Sequence, residues 1–203
     1  MKPISKIAVV AAVIGPVQSV LGWTISGAIT PGYDAGRQTI SELASLDAPT
    51  HVLQSTFFIL GGTLTILAAI FAHTFAFPGR LALFISGLCT YGLTIFPTPL
   101  IGHSAMHLLF AITSFVLSAG WMLAAMRFRK DSPAIIRPKW AIIQTAYQAA
   151  IAIAFLIVWS DPAATNIGIW ERVVTTSQAL QVSVVVLVIY FGQRQSSWAK
   201  VSL

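Results

Sequence analysis

The sequence predicts an all-α, polytopic membrane protein, namely a bundle of six transmembrane helices forming a single domain over residues 1–203. Two observations predict this class. Hydrophobic residues make up 56% of the chain and charged residues only 9%, whereas a soluble domain carries roughly 25% charged residues. The charges also divide the chain into long uncharged runs, which are typical of membrane spans. A soluble domain, a coiled coil, a DNA-binding domain and intrinsic disorder are therefore excluded.

Five uncharged runs define the predicted helices. They cover residues 7–33, 48–79, 81–126, 140–160 and 173–193. Four runs fit one span each, since a helix needs roughly 20 apolar residues to cross the hydrocarbon core. The run over 81–126 is too long for one span and contains Pro97-Thr98-Pro99, so we divide it there, because proline disfavours helix in itself and in the residue before it. The six predicted helices span about 5–29, 51–76, 79–97, 103–127, 140–160 and 170–192.

Lysine and arginine are distributed unevenly between the two ends of this bundle. The end with both termini holds ten of them: Lys2, Lys6, Arg80, Arg127, Arg129, Lys130, Arg137, Lys139, Arg194 and Lys200. The other end holds only Arg37 and Arg172. This asymmetry predicts a multi-pass protein of the bacterial cytoplasmic (inner) membrane with both termini in the cytoplasm. The lipid bilayer is then the partner of the basic residues, through its anionic headgroups. Binding to nucleic acid is not needed to explain the net charge of +6.

The first predicted helix has a second interpretation. Lys2 and Lys6 precede an apolar stretch and the small residues Ser26-Gly27-Ala28, which is also the pattern of a secretory signal peptide. The stretch is longer than a usual signal core and contains Pro16 and Gln18, so we favour a retained span. Cleavage would leave five spans and the same orientation.

The longest predicted connection is the outer segment over residues 31–50. Thr39 and Glu42 have the spacing of a capping box. The apolar residues that follow recur at i, i+3 and i+4, namely Ile40, Leu43 and Ala44. This pattern predicts a short helix of one or two turns in the membrane interface, ending before Pro49. Glu42 either caps that helix or directs its carboxylate into a pocket between the helices.

Two histidines begin the fourth predicted helix. His103 and His107 are spaced i, i+4, which places both imidazoles on one helix face, within reach of one metal ion. Zinc, a candidate cofactor, would need a third protein ligand, which Glu42, Asp34 or His51 could supply. In the alternative, one histidine lies in the interface and the other hydrogen-bonds within the bundle. A single haem between His51 and one of the pair is a further alternative.

Adjacent Glu171 and Arg172 lie at the start of the sixth predicted helix. Adjacent side chains point about 100° apart on a helix, so we expect one of the two to face inward, with Arg172 pairing with Glu42 or Asp34. No charged residue lies in the middle of any predicted span, which argues against a proton-coupled pump or a voltage sensor. The sequence also contains no inverted repeat, which argues against a transporter.

Taken in series, these motifs resemble the bacterial membrane family called domain of unknown function 998. The motifs are Tyr33-Asp34, Ile40-Ser41-Glu42-Leu43, Phe96-Pro97 followed by His103 and His107, and Gly168-x-x-Glu171-Arg172. The resemblance covers roughly residues 8–192 and implies six helices in the same order. It implies no reaction, because the family's activity is not established. Thr98 stands where many members carry an acidic residue, so a carboxylate that could join the histidines is missing.

These residues predict a binding or accessory component with an outward-facing polar pocket for a lipid headgroup or another membrane protein. The candidate pocket residues share the outer end of the bundle: Tyr33, Asp34, Arg37, Ser41, Glu42, His103, His107, Glu171 and Arg172. The alternative is a metal-dependent lipid hydrolase arranged like the ceramidase and adiponectin-receptor group. There His103, His107 and Glu42 would hold the metal, with Ser41 as a hydrogen-bond donor beside it. The sequence specifies neither the ligand nor the oligomeric state.

Overall fold

The computed structural model describes residues 3–102 and 104–201, with side chains as far as residue 195. Within these ranges all regular structure is helical, as the sequence predicts. Six long helices follow one another along the chain: α1 (Lys6–Ile29), α2 (His51–Phe71), α3 (Phe77–Ile95), α4 (Ala105–Ala125), α5 (Pro138–Ser160) and α6 (Ile167–Val201). Two short 3-10 turns lie between them, Ser41–Ala44 before α2 and Ala134–Ile136 before α5.

Five of these helices are long and apolar enough to cross a membrane, namely α1, α2, α4, α5 and α6. Helix α3 is not among them, because Arg80, a proline and three glycines make its 19 residues less apolar than those spans. The described part of the chain therefore has the architecture of a multi-pass membrane protein. A sixth span formed by α3, and a cytoplasmic location of both termini, stay predictions.

The helix bounds differ from the predicted ones chiefly at two places. Helix α2 ends at Phe71 and not at 76, because the Arg80 guanidinium binds its last carbonyls. Arg80 Nε donates to the oxygen of Ala69 at 2.7 Å, and Nη2 donates to that of Ile70 at 2.6 Å. A cation is favoured there because the carbonyl end of a helix is negative. Helix α6 begins before the predicted start at 170 and continues well past the predicted end at 192.

The helices pack in sequence order, and α6 closes the bundle by packing on α1. Because the helices alternate in direction, the connections gather at two ends. We call the end that carries residues 30–50, 96–102 and 161–166 the loop end. The opposite end, which carries residues 3–5, 72–76 and 126–137, is called the terminus end.

The largest fully buried hydrophobic side chains cluster toward the terminus end. Phe75, Trp121, Met122, Ile136 and Ile189 are almost fully buried there, and the rings of Phe75 and Trp121 lie 5.0 Å apart. This dense core fixes the helices to one another below the loop end.

Helices α2 and α3 are in close backbone contact where two glycines face each other. A Cβ added at Gly62 would lie 2.7 Å from the carbonyl oxygen of Gly87, and one added at Gly87 would lie 2.8 Å from that of Gly62. Small residues allow such close backbone contact between helices in lipid. This contact therefore depends on the absence of both side chains.

Replacing Gly87 by alanine is expected to destabilise the protein by about 1–3 kcal/mol, because a backbone carbonyl cannot move aside for the added methyl group. Gly120→Ala is the matched control, since a Cβ at Gly120 has open space within 4 Å and alanine has the higher helix propensity. Thermal unfolding of both variants in detergent checks this. Equal melting temperatures for the two variants would contradict the close packing of α2 on α3.

Candidate functional site

The segment over residues 30–50 folds back over the loop end and contains the predicted capping box. Thr39 N donates to Glu42 Oε1 at 2.9 Å, and Glu42 N donates to Thr39 Oγ1 at 3.2 Å. The predicted short helix is present as the 3-10 turn Ser41–Ala44. Its apolar side is buried, as the spacing predicts, and consists of Ile40, Leu43 and Ala44.

Glu42 stabilises this turn from within the segment. Its Oε1 also accepts from Thr39 Oγ1 at 3.0 Å, and its Oε2 accepts from Gln38 Nε2 at 3.0 Å. Both carboxylate oxygens are thus engaged locally. Of the two roles that the sequence left open for Glu42, the structure has the capping role.

Arg172 attaches the segment to the start of α6. This buried side chain, only 9% exposed, donates through Nη1 to the carbonyl oxygens of Ala35 (2.8 Å), Gln38 (3.1 Å) and Gly168 (2.8 Å). Its Nη2 donates to the Tyr33 hydroxyl. The planar guanidinium, with five donors, suits such a set of carbonyls.

The expected pairing of Arg172 with Glu42 or Asp34 is wrong for the described residues. Glu42 is held by its capping contacts, and Asp34 pairs with Arg37 at 3.7 Å on the exposed surface. Arg172 instead lies over the ring of Trp23, with its central carbon 5.1 Å from the ring centroid. Backbone carbonyls thus take the place of the expected carboxylate.

Gly168 permits this close approach. A Cβ added there would lie 2.2 Å from the carbonyl oxygen of Gln38 and 2.4 Å from that of Ala35. The segment also contacts the start of α6 through its backbone, because Ile169 N donates to the oxygen of Gly36 at 3.3 Å. Gly168 and Arg172 therefore act together, one by leaving room and the other by binding.

Glu171 contacts a later part of the segment over residues 30–50 than Arg172 does. Its side chain is 6% exposed, and its Oε2 accepts from the backbone N–H of Ile40. Its Oε1 lies 3.2 Å from Ser41 Oγ. Both adjacent charged residues therefore point inward, whereas the sequence led us to expect only one, because the segment wraps around the start of α6.

His107 approaches Ser41 from α4. His107 Nδ1 lies 3.0 Å from the carbonyl oxygen of Phe96, and Nε2 lies 3.1 Å from Ser41 Oγ. A carbonyl can only accept, so Nδ1 carries the hydrogen, and the neutral ring presents a lone pair on Nε2 to the Ser41 hydroxyl. That hydroxyl has one hydrogen, for which His107 Nε2 and Glu171 Oε1 are alternative acceptors. Ser41, His107 and Glu171, here called the Ser41 cluster, thus bring together three elements that are distant in sequence.

Two cavities meet at the Ser41 cluster. The first, here called the polar cavity, has a volume of about 190 Å³ and lies within the bundle. Its polar lining consists of Gln18, Ser19, Trp23, Ser41, Gln54, Thr65, Ser86, Thr90, Ser114, Ser118, Glu171, Thr175 and Gln178. The second has a volume of about 140 Å³ and lies between α4 and α5. It is lined by polar residues near Ser41, such as Thr98, Ser104 and His107, and by apolar residues farther along the two helices, and it is called the apolar cavity for that second part. Ser41 and Glu171 line both cavities.

The polar cavity contains hydrogen-bonding atoms that have no partner among the described residues. They are Gln18 Oε1, Gln54 Oε1 and Trp23 Nε1, and the two glutamines are only 7% and 2% exposed. The sequence interpretation did not include Gln18 and Gln54 among the site residues. The available signal was a glutamine inside an apolar span, where a polar side chain must find a partner or line a cavity.

Two of the predicted pocket residues, Asp34 and Arg37, lie apart from the Ser41 cluster in an exposed ion pair. His51, a candidate ligand for a metal or haem, has its Nδ1 2.7 Å from the oxygen of Ala44. His103 lies outside the described residues. Within the described ranges, no three His, Cys, Asp or Glu side chains are grouped as metal ligands would be, and the zinc site stays a prediction.

Comparison with known proteins places the chain by sequence. Residues 13–188 match the family described as "Protein of unknown function (DUF998)", which confirms the resemblance found from the motifs. No curated protein and no solved structure matches the chain. The family description states no activity.

Arg172→Lys is expected to loosen the segment over residues 33–44. Lysine cannot span the same set of acceptors, and each lost hydrogen bond to a charged group costs about 1.5–3 kcal/mol. Hydrogen–deuterium exchange of the amides in this segment should become roughly tenfold faster or more. Arg37→Lys, which alters only the exposed ion pair, should exchange like the wild type. Unchanged exchange in Arg172→Lys would contradict the anchoring role.

The pH dependence of the melting temperature, compared between the wild type and Tyr33→Phe, tests the contact between Tyr33 and Arg172. Burial raises the pKa of Tyr33 from 10.0 to about 12, and the hydrogen bond from Arg172 opposes that rise. The folded state thus favours the neutral phenol, and this stabilisation is complete below pH 10 and is lost as the pH rises through about 12.

Between these pH values the melting temperature of the wild type should fall more steeply than that of Tyr33→Phe, which has no phenol to ionise. Tyr147→Phe removes an exposed phenol of α5 and should retain the wild-type slope. A Tyr33→Phe slope equal to that of the wild type would show that the Tyr33 phenol is not buried against Arg172.

Proposed function

We propose that this chain, which belongs to the DUF998 family, binds the hydroxyl- or ammonium-bearing headgroup of an amphiphile in the polar cavity. The single observation that carries this proposal is the pair of buried amide oxygens, Gln18 Oε1 and Gln54 Oε1, which have no donor among the described residues. Leaving such an acceptor unsatisfied costs about 1–3 kcal/mol. A bound group that supplies O–H or N–H donors would remove that cost.

The charge of the cavity favours a neutral or cationic group over an anion. Glu171 is the one charged residue that lines the polar cavity within the described part of the chain. The neighbouring Arg172 does not line it, because its donors are directed at the segment over residues 33–44. A phosphate or carboxylate headgroup would therefore meet a carboxylate without a balancing cation.

The size and position of the cavities favour a lipid headgroup over a protein partner. On the same measure of volume, one water needs roughly 10–15 Å³, so a cavity of about 190 Å³ has room for a polar group much larger than one water. It lies inside the bundle, where a protein surface could not reach. The adjoining apolar cavity, lined by side chains such as Leu108, Ile112 and Phe155, suits the start of an alkyl chain.

The proposal predicts selective stabilisation by amphiphiles that differ only in the headgroup. An alkylglycerol, which is neutral and carries two hydroxyl groups, should raise the melting temperature of the detergent-purified protein. An alkyl phosphate with the same chain should raise it less or not at all, because its anion faces Glu171. Gln54→Leu should abolish the shift by alkylglycerol, since it removes an acceptor from the cavity.

The control is Gln144→Leu, which changes a glutamine of α5 that does not line the polar cavity and binds the oxygens of Ile135 and Trp140. This variant should respond to alkylglycerol as the wild type does. Equal shifts with both amphiphiles, or an undiminished shift in Gln54→Leu, would overturn the proposal.

A further inference from the structure

We propose that Ser41 and His107 are a nucleophile and its general base, and that they cleave an ester at the junction of the polar and apolar cavities. The choice of substrate rests on the function proposed above, whereas the nucleophile–base pair rests on the geometry of the side chains alone. Its substrate class is an ester that joins a hydroxylated headgroup to an acyl chain.

The distance between the two side chains suits proton transfer, which takes place when the Ser41 hydrogen is directed at His107 and not at Glu171. Ser41 Oγ lies 3.1 Å from His107 Nε2, within the range expected for a nucleophile and its base. The third group, which orients the base, is the carbonyl of Phe96, 3.0 Å from His107 Nδ1. The backbone of His107 is fixed as well, because its N–H donates to Ser104 Oγ at 3.2 Å.

The position of Ser41 between two cavities, one of which extends along apolar residues of α4 and α5, indicates which bond it would meet. On one side lie the amides and hydroxyls of the polar cavity, including Gln54 and Gln178. On the other side lies the apolar cavity, with Leu108 and Phe155. A molecule with its headgroup in the first cavity and its acyl chain in the second would place the bond between them beside Ser41 Oγ.

The reaction is an ordinary acyl transfer to serine followed by hydrolysis. Ser41 Oγ attacks the carbonyl carbon while its proton moves to His107 Nε2. The bond from that carbon to the alcohol oxygen breaks, and His107 returns the proton to the leaving alcohol. Water then attacks the acyl group on Ser41 as His107 takes a proton, which it passes to Ser41 Oγ when the acid leaves. One ester and one water give one alcohol and one carboxylic acid.

Glu171 acts as a positioning residue in this scheme. It holds the backbone N–H of Ile40, so the residue before Ser41 is fixed. Its Oε1 also lies 3.2 Å from Ser41 Oγ, which places a carboxylate near the imidazole when His107 carries the transferred proton. Attraction between opposite charges is strong where water is excluded.

A fluorophosphonate with a long alkyl chain tests the pair directly, because a serine oxygen activated by a base displaces its fluoride and keeps the phosphorus. Mass spectrometry of the labelled, detergent-purified protein should find one adduct, on Ser41. Ser41→Ala should show none. Ser45→Ala is the matched control, since Ser45 lies just beyond the same turn with a buried hydroxyl that lacks a partner among the described residues, and it should label at the wild-type rate.

The role of His107 is tested by the rate of labelling. His107→Gln retains hydrogen-bonding atoms and removes the base, so labelling should slow roughly 100-fold or more. In the wild type, the rate should fall as the pH is lowered from about 7 to 4, because a protonated imidazole accepts no proton. This second measurement needs no variant and therefore does not depend on whether His107→Gln folds.

The outcomes separate this inference from the proposed function. Labelling of Ser41 without stabilisation by alkylglycerol supports the nucleophile–base pair and contradicts the headgroup proposal alone. Stabilisation without labelling contradicts the pair and leaves the headgroup proposal standing. Labelling of folded Ser41→Ala at the wild-type rate, or a labelling rate that is independent of pH, would overturn the pair.

Discussion

The site depends on one interaction, the binding of the segment over residues 33–44 to the first turn of α6 by Glu171 and Arg172. The two residues carry opposite charges, and both form hydrogen bonds with the backbone of the same segment. Arg172 binds carbonyl oxygens, and Glu171 binds an N–H. Burial of a charge is tolerated when hydrogen bonds replace its lost hydration. The segment supplies those bonds, and in return it is held against the bundle.

This binding positions Ser41, which is not part of any long helix. Ser41 reaches the histidine of α4 and the carboxylate of α6 only while the turn that carries it is docked. The dense core toward the terminus end holds α4 and α6 in place, and the capping box of Thr39 and Glu42 gives the turn its shape. The position of Ser41 therefore depends on helix packing, on the capping box and on the two buried charged residues together.

The sequence predicted those parts of the structure that depend on local patterns. Uncharged runs predicted the helices, and the spacing of Thr39 and Glu42 predicted the turn. Both signals consist of residues that are consecutive or close together in the chain. The partners of Arg172 could not be predicted in this way, because backbone carbonyls are present at every position and only the folded segment selects them. The cavity could not be predicted either, since Gln18 and Gln54 lie on different helices and line one cavity only because those helices pack together. The early end of α2 likewise depends on Arg80, which reaches back from the next helix.

The most direct test of this account is an experimental structure of the wild-type protein in lipid nanodiscs, with attention to the density between the two cavities. We expect residues 33–44 to be docked on α6, with Ser41 in contact with His107. We also expect elongated density that begins beside Gln18 and Gln54 and continues past Ser41 toward Phe155. A segment detached from α6, or a polar cavity closed by collapsed side chains with both glutamines bonded to protein atoms, would contradict this account.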